Sequence, residues 1–569
     1  MNSLFLMLII FIGYLIAYHT YGKFLAKKIF RINPQAICPS HECCDNVDFV
    51  PTKKSVLFGH HFTSIAGLGP IVGPAIGVIW GWVPAILWVF FGSIFMGAIH
   101  DFGALVLSLR AKGRSLGDIT AGVINARVRT LFLFIIFFGI WIVIAVFALI
   151  IAILFTMYPE SVLPVWLQIP IAVYIGHLIY KKGKNPNLLG ILAVIVMYLT
   201  IIIGAYLPIK MVVFFGLDPL AIWIILLLAY VYIASTLPVQ KLLQPRDFIN
   251  AFQLFIAMFL LSLGILITQP PMVAPAFILS PHGAPPMLPF LFIVIACGAI
   301  SGFHCLVSSG TSSKQCDNES SSCYIGYGGM LTEGALASLV IIAVCAGLGM
   351  GFTTTSGLTL KGQAAFMHHY SSWSAASGLQ AKLDSFITGS SNIIAVLGIP
   401  VKITIAIMGV FLVSFAATTL DSATRIQRYV ISELATAWKI EWLSRKHPAT
   451  LVAVFSAFIL AFSNGNGKGA LMLWPLFGAI NQLLAALALL VITIYLVKKQ
   501  INALYTAIPM VLMVFMTGWA MLINLQNFYN QNNWMLLGIG IAVFGLEIWM
   551  IIESIFVLQK VYFHKDKKL

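Results

Sequence analysis

The stretch Gly59-His60-His61-Phe62-Thr63-Ser64-Ile65-Ala66-Gly67-Leu68-Gly69-Pro70-Ile71-Val72-Gly73-Pro74-Ala75-Ile76-Gly77 decides how this chain is read. It is apolar enough to enter a membrane, opens on two histidines, and carries four glycines and two prolines between Gly67 and Gly77. A continuous transmembrane helix satisfies its own backbone. Breakers at mid-depth free N–H and C=O groups, which are tolerated only against protein or a wet cavity. Transporters build binding sites in this way. Small residues also let membrane helices pack closely, but this density of breakers exceeds what packing requires. The reading adopted is a span interrupted near its middle.

The rest of the chain has the same character. Of 569 residues, 60% are hydrophobic and 9% charged. Apolar runs long enough to cross about 30 Å of hydrocarbon fall near 3–20, 60–80, 82–109, 131–156, 162–180, 188–208, 212–234, 248–269, 288–307, 327–351, 402–420, 449–463, 470–496, 504–525 and 533–558, about 15 in all. An all-α polytopic membrane protein is expected. Three regions follow: 1–59, a first transmembrane helix and cytoplasmic loop; 60–420, a transporter core with broken helices; and 421–569, a cytoplasmic loop and C-terminal helices. Met1–Thr20 lacks a basic leading segment and a small-residue cleavage site, so it reads as a retained helix.

The net charge of +15 reports topology, not a nucleic-acid partner. Alternate loops, 21–59, 110–130, 181–187, 235–247, 308–326, 421–448, 497–503 and the tail after 559, hold 28 of the 33 Lys and Arg. Lys210, Lys361, Lys382, Lys402 and Lys468 are the remainder. By the positive-inside bias the N-terminus lies outside and the C-terminus in the cytoplasm. Of eight cysteines, five fall in cytoplasmic loops, where thiols stay reduced. Cys38, His41, Cys43 and Cys44 form a small cluster in the first loop, a weak metal candidate because adjacent cysteines do not match ordinary zinc spacing.

Three more segments mix apolar context with polar residues. Ala299–Lys314 leaves the ninth span with a file of hydroxyls, Ser414–Arg425 does so at the eleventh, and Tyr230–Gln240 ends the seventh with Pro238, a candidate second break. Spans two to six would then be repeated, inverted, by spans seven to eleven, a five-plus-five transporter core. The outer segment 352–401 holds a polar piece, Thr353–Ser372, and a short apolar one, Ser385–Pro400, that suits a re-entrant outer lid.

Ionisable side chains at membrane depth are costly and mark function by default. They are His100 and Asp101 in span three, His177 in span five, His304 in span nine, Glu333 in span ten and Asp421 at the end of span eleven. Asp421 has Arg425 as a local partner one turn on. His60, His61 and Asp101 are placed in one inner vestibule, where a histidine beside a carboxylate suits passing or sensing a proton. The break at Gly67–Pro74 is a natural receptor for an anion, because free N–H groups and the positive end of a half-helix point at the gap. No hydrolase, metalloprotease or phosphate-loop signature is present. The chain is read as a non-enzyme, without a cofactor.

The runs Asp48–Thr52, Leu57–Phe62, Ala66–Pro74, His100–Phe102 and Gly113–Gly117, with Gln244–Phe248, Ser301–His304, Ser308–Thr311, Leu420–Arg425 and Leu473–Gly478, closely resemble the carbon starvation protein A family. That resemblance implies a bacterial inner-membrane secondary transporter related to the amino acid–polyamine–organocation superfamily, with a LeuT-type inverted-repeat core. It implies import of short peptides or pyruvate, proton-coupled in relatives, in response to carbon starvation. A sodium-coupled symporter of the same substrates, or a membrane nutrient sensor, is the alternative. Substrate contacts are assigned to Gly67, Gly69, Pro70, Gly73, Pro74 and His304. Ion coupling is assigned to His60, His61, His100, Asp101, Ser308, Ser309 and Asp421. Ser308-Ser309 and Asp421–Thr424 both look like cation-site helices of the superfamily, and span nine is preferred because it needs no inserted helices. The expected partners are a peptide or small carboxylate, a coupling ion (a proton before sodium) and the lipid bilayer.

Overall fold

The computed structural model describes residues 2–214, 216–354 and 357–566, with backbone alone for 561–566; Lys567 and the last two residues lie outside the described residues. Helices dominate, and the strands among the described residues are one short pair, Phe352–Thr353 with Thr359–Leu360. In chain order come α1 (Ser3–Ile29), the bent pair α2 (Lys54–Ala66) and α3 (Gly69–Trp80), α4 (Trp82–Arg110), α5 (Ala126–Met157), α6 (Pro159–Tyr180), α7 (Pro186–Tyr206), α8 (Pro219–Thr236) and α9 (Leu243–Thr268). Then follow α10 (Met287–Val294) and α11 (Gly302–Val307). The remainder are α12 (Glu319–Met350), α13 (Leu379–Ala395), α14 (Val401–Ala437), α15 (Lys446–Ala461), α16 (Gly469–Lys498), α17 (Leu504–Asn530) and α18 (Trp534–Lys560).

Twelve of these helices are long and apolar enough to cross a membrane, thirteen with the bent pair counted as one span. The sequence predicts about fifteen. The discrepancy lies in two apolar runs that fold as helix but fall short: 288–307 is interrupted after Val294, and α15 has only 16 residues. Helix starts follow local chemistry. Asn125 caps the 32-residue α5 by accepting from the Val128 N–H, and Asn185 with Pro186 opens α7. The long helices α5 and α14 pack along each other at the centre, α9 lies on α2, and α12 supports α3.

The first interruption is where the breaker density puts it, with α2 and α3 bent by 42°. The second is not. α8 runs unbroken to Thr236, and Pro238 stands beyond its C-cap, where proline ends a helix without interrupting it. The second interruption is Ile295–Ser301, between α10 and α11. Gly298 turns the chain there at φ 89°, and the Trp88 indole N–H donates to the Ile295 carbonyl at 2.9 Å. Pairing spans two to six with seven to eleven therefore leaves the two breaks out of register. α14 also continues as helix past Leu420 to Ala437.

Against α3, the second half of the broken helix, lies the segment expected as a lid. It folds as helices Gln363–Tyr370 and Trp373–Ala376 followed by α13. The Tyr370 hydroxyl donates to the Ala75 carbonyl at 2.5 Å, and Trp373 packs against Trp80 with ring centroids 5.6 Å apart. This cap is anchored directly on α3.

Candidate functional site

The two interruptions meet. A Cβ on Gly69 would collide with the Cys297 sulfur, and one on Gly73 would come within 2.6 Å of the Val294 carbonyl oxygen. Only a residue without a side chain lets the backbones approach this closely. Pro70 occupies the first turn of α3, where its missing N–H costs no helical hydrogen bond. Pro74 lies inside α3, buried. α3 begins at this crossing, and α11 begins at Gly302, beyond it on the same interrupted segment, so each break is followed by a half-helix N-terminus with partial positive charge. The start of α11 is itself held: the Asn481 side chain of α16 accepts from the Phe303 N–H at 3.0 Å and bonds Ser301.

On the α2 side of the crossing, His61 and Asp101 form a buried couple, with Nε2 3.0 Å from Oδ2. Both ring nitrogens are engaged. Nε2–H donating to the carboxylate leaves Nδ1 to accept from the Ser312 hydroxyl at 2.9 Å. Ser308 donates to the other Asp101 oxygen. The file of hydroxyls leaving the second break thus wraps the His61–Asp101 couple, through Ser308 and Ser312. Ser309 does not join it: its hydroxyl bonds back to the Cys305 carbonyl at 2.7 Å and accepts from the Leu116 N–H at 3.1 Å.

His60 does not share that couple. Its Nδ1 sits 2.5 Å from Asp247 on α9, and its Nε2 faces Gln315 at 3.3 Å. The predicted shared vestibule is therefore two separate, fully buried histidine–carboxylate pairs. Asp247 escapes sequence reading because Gln244-Pro245-Arg246-Asp247 resembles a charged loop. In the structure it opens α9 and is buried throughout. A proline in the first turn followed by an apolar run was the available signal.

Asp421 also departs from expectation. It pairs with Arg246, and the Tyr230 hydroxyl donates to the same carboxylate oxygen at 3.0 Å. Arg425, its predicted local partner, turns the other way and binds Asp48 at 2.6 Å, and Arg428 joins it at 2.8 Å. Burial opposes ionisation of Asp48, but the two guanidinium groups win and hold its carboxyl well below the usual carboxylate range. One carboxylate of the first loop thereby ties that loop to the C-terminal half of α14.

The remaining assignments separate. His304, on the first turn of α11, lies beside Glu333 of α12, with 3.3 Å between Nε2 and Oε2. With Cys297 these two form a group of donor atoms within 4.8 Å of one another, the one such cluster with metal-binding potential among the described residues. His100 is buried with both ring nitrogens free of hydrogen bonds. The first-loop candidates do not assemble: Cys38 is buried against Cys316, His41 pairs with Asp317 at 2.7 Å, and Cys44 is exposed. Proximity in sequence did not become convergence in space.

Comparison with known proteins places relatives beside this geometry. A family model described as carbon starvation protein CstA matches residues 2–520. A protein named peptide transporter CstA from Campylobacter jejuni is 32% identical over 545 residues, covering 88% of this chain and 77% of that protein. The peptide transporter CstA of Escherichia coli K12 is 31% identical over 91% of this chain and 81% of its own length. The pyruvate/proton symporter BtsT of the same strain is 30% identical over 89% and 80%.

The Arg246–Asp421 pair yields a stability prediction. Removing one partner leaves an uncompensated buried charge, at a cost of about 3–5 kcal/mol. Asp421→Leu and Arg246→Met should each lower unfolding stability in detergent by about that much, and the double variant should recover most of the loss. Losses that simply add in the double variant would show that the two charges do not depend on each other.

Proposed function

The chain belongs to the carbon starvation protein CstA family, and on that premise we propose that it is a secondary active transporter importing small carboxylate-bearing nutrients, short peptides or pyruvate, driven by protons. The observation that carries this reading is the direct meeting of two interrupted helices, with the His61–Asp101 couple on its α2 side. A carboxylate has a receptor in the N-terminal ends of α3 and α11, which need no lysine or arginine at the junction. A proton has a carrier in Asp101 with His61, whose ring links the carboxylate to the Ser312 hydroxyl. The chain is assigned to a bacterial inner membrane, with the N-terminus outside as the reading of its basic loops. Its named relatives are transporters.

The core pairing that keeps the breaks in register differs from the one read off the sequence. Sets that each open with a broken helix are α2 to α7 and α10 to α16, with α13 as an outer cap and α8 and α9 between them. Six spans, α4 to α9, lie between the two broken ones, an even number, so the second set enters the membrane from the opposite side, as an inverted repeat requires.

One observation favours sodium as the second reading. At the carbonyl end of α2, the Thr419 hydroxyl of α14 reaches the Ser64 carbonyl at 3.4 Å, and the Ser64 and Ser422 hydroxyls lie 2.9 Å apart. Several oxygens converging at a helix end suit a hard cation. This moves the candidate cation position from span nine to α14, the arrangement with two inserted helices.

Counterflow in proteoliposomes with labelled pyruvate and a labelled dipeptide, with and without proton or sodium gradients, tests the reading. Gly73→Leu should abolish uptake with protein still in the membrane, because its side chain would enter the Val294 backbone. Asp101→Asn should reduce accumulation driven by a pH gradient at least about tenfold more than it reduces exchange, since exchange needs no net proton movement. Equal loss of both activities would make Asp101 structural. A sodium dependence lost in Ser422→Ala, with the driven-to-exchange ratio of Asp101→Asn unchanged, would replace the proton with sodium.

A further inference from the structure

His60 and His61 each engage both ring nitrogens. At the second break the polar groups are not satisfied. His304 and Glu333 are fully buried, yet both ring nitrogens of His304 and Oε2 of Glu333 lack a hydrogen-bond partner. The two side chains stand 3.3 Å apart without the orientation of a hydrogen bond. The third member, Cys297, brings its sulfur within 4.8 Å of a donor atom on each.

We propose that Cys297, His304 and Glu333 form a binding site for a divalent transition-metal ion of the zinc class. Three features support this. The donors are sulfur, nitrogen and oxygen, a set that suits zinc, cobalt or nickel and not the all-oxygen preference of magnesium or calcium. A thiolate and a carboxylate neutralise a divalent ion while the imidazole stays uncharged, so the loaded cluster carries no net charge at membrane depth, where charge is costly. The second oxygen of Glu333 is already held by the Gly298 N–H at 3.0 Å, an outer hydrogen bond of the kind that orients a ligating carboxylate.

The placement has a structural consequence. Cys297 belongs to the break itself, His304 to the first turn of α11 and Glu333 to α12, so an ion would tie three elements together where the chain lacks helical hydrogen bonds. Gly69, at the start of α3, leaves the space that the Cys297 sulfur fills. The site lies at the same junction that the proposed function gives to substrate, and its test reads metal binding instead of uptake, so the two can fail separately.

The test uses the full-length chain purified in detergent, stripped with chelator, with Cys43 and Cys44 replaced by serine to remove the more accessible loop thiols. Titration with Co²⁺ should show about one equivalent per chain and a near-ultraviolet thiolate-to-cobalt band, and Zn²⁺ should displace it. Cys297→Ser should abolish that band, whereas Cys305→Ser, whose sulfur bonds the Gly302 carbonyl, should keep it. His304→Gln and Glu333→Gln should weaken Zn²⁺ binding at least about tenfold. Absence of the band in the parent protein, or its survival in Cys297→Ser, overturns the proposal. If Cys297→Ser is not recovered folded, His304→Gln decides: unchanged affinity counts against the site, weakened affinity supports it.

Discussion

An interrupted helix inside a membrane must find partners for the backbone groups that its break sets free. Each group left unsatisfied in hydrocarbon costs several kcal/mol. Here two interruptions are placed against each other and against side chains from neighbouring helices. Trp88 takes the Ile295 carbonyl, Glu333 takes the Gly298 N–H, Asn481 takes the Phe303 N–H, and Thr419 reaches the Ser64 carbonyl. The surrounding helices are arranged as this requirement demands: α12 and α16 stand behind the second break and α14 behind the first.

Charge is handled by the same logic of local compensation. Three buried carboxylates, Asp101, Asp247 and Asp421, each have a named partner: His61, His60 and Arg246. The partners differ in a way that separates their work. Arg246 is always charged, so the Asp421 pair fixes α9 against α14. His61 and His60 instead link their carboxylates to a second polar side chain, Ser312 and Gln315. Glu333 stands outside this pattern, with an imidazole beside it but no hydrogen bond to it.

How much of this was legible depended on whether the signal was local. Gly67, Gly69, Pro70, Gly73 and Pro74 crowd one short run, so the first break could be read directly. The second hangs on a single glycine, Gly298, and on hydrogen bonds from Trp88, Glu333 and Asn481, each distant in sequence. Pro238 drew attention because proline is visible, but beyond the C-cap it merely stops α8. His60, His61 and Asp101 read as one group because all three lie in apolar runs, but only His61 meets Asp101, while His60 pairs with Asp247. Asp247 and Arg246 were hidden by their polar neighbours, and the pairing of Asp421 with Arg246 over Arg425 was decided by Asp48, which claims Arg425 from a loop. The Cys38–Cys44 cluster shows the converse, where ligand-type residues close in sequence are directed to different partners.

The central claim is that the junction of the two breaks is where a carboxylate-bearing solute binds, and Cys297 provides a native reporter within it. In a variant that retains Cys297 as its sole cysteine, stripped of metal, the rate of alkylation by a small membrane-permeant thiol reagent can be followed with and without saturating pyruvate or dipeptide. The account predicts that a transported substrate slows alkylation of Cys297 in proportion to site occupancy, while a non-transported amine of similar size does not. An alkylation rate that stays constant while the same vesicles exchange substrate would place the binding site elsewhere.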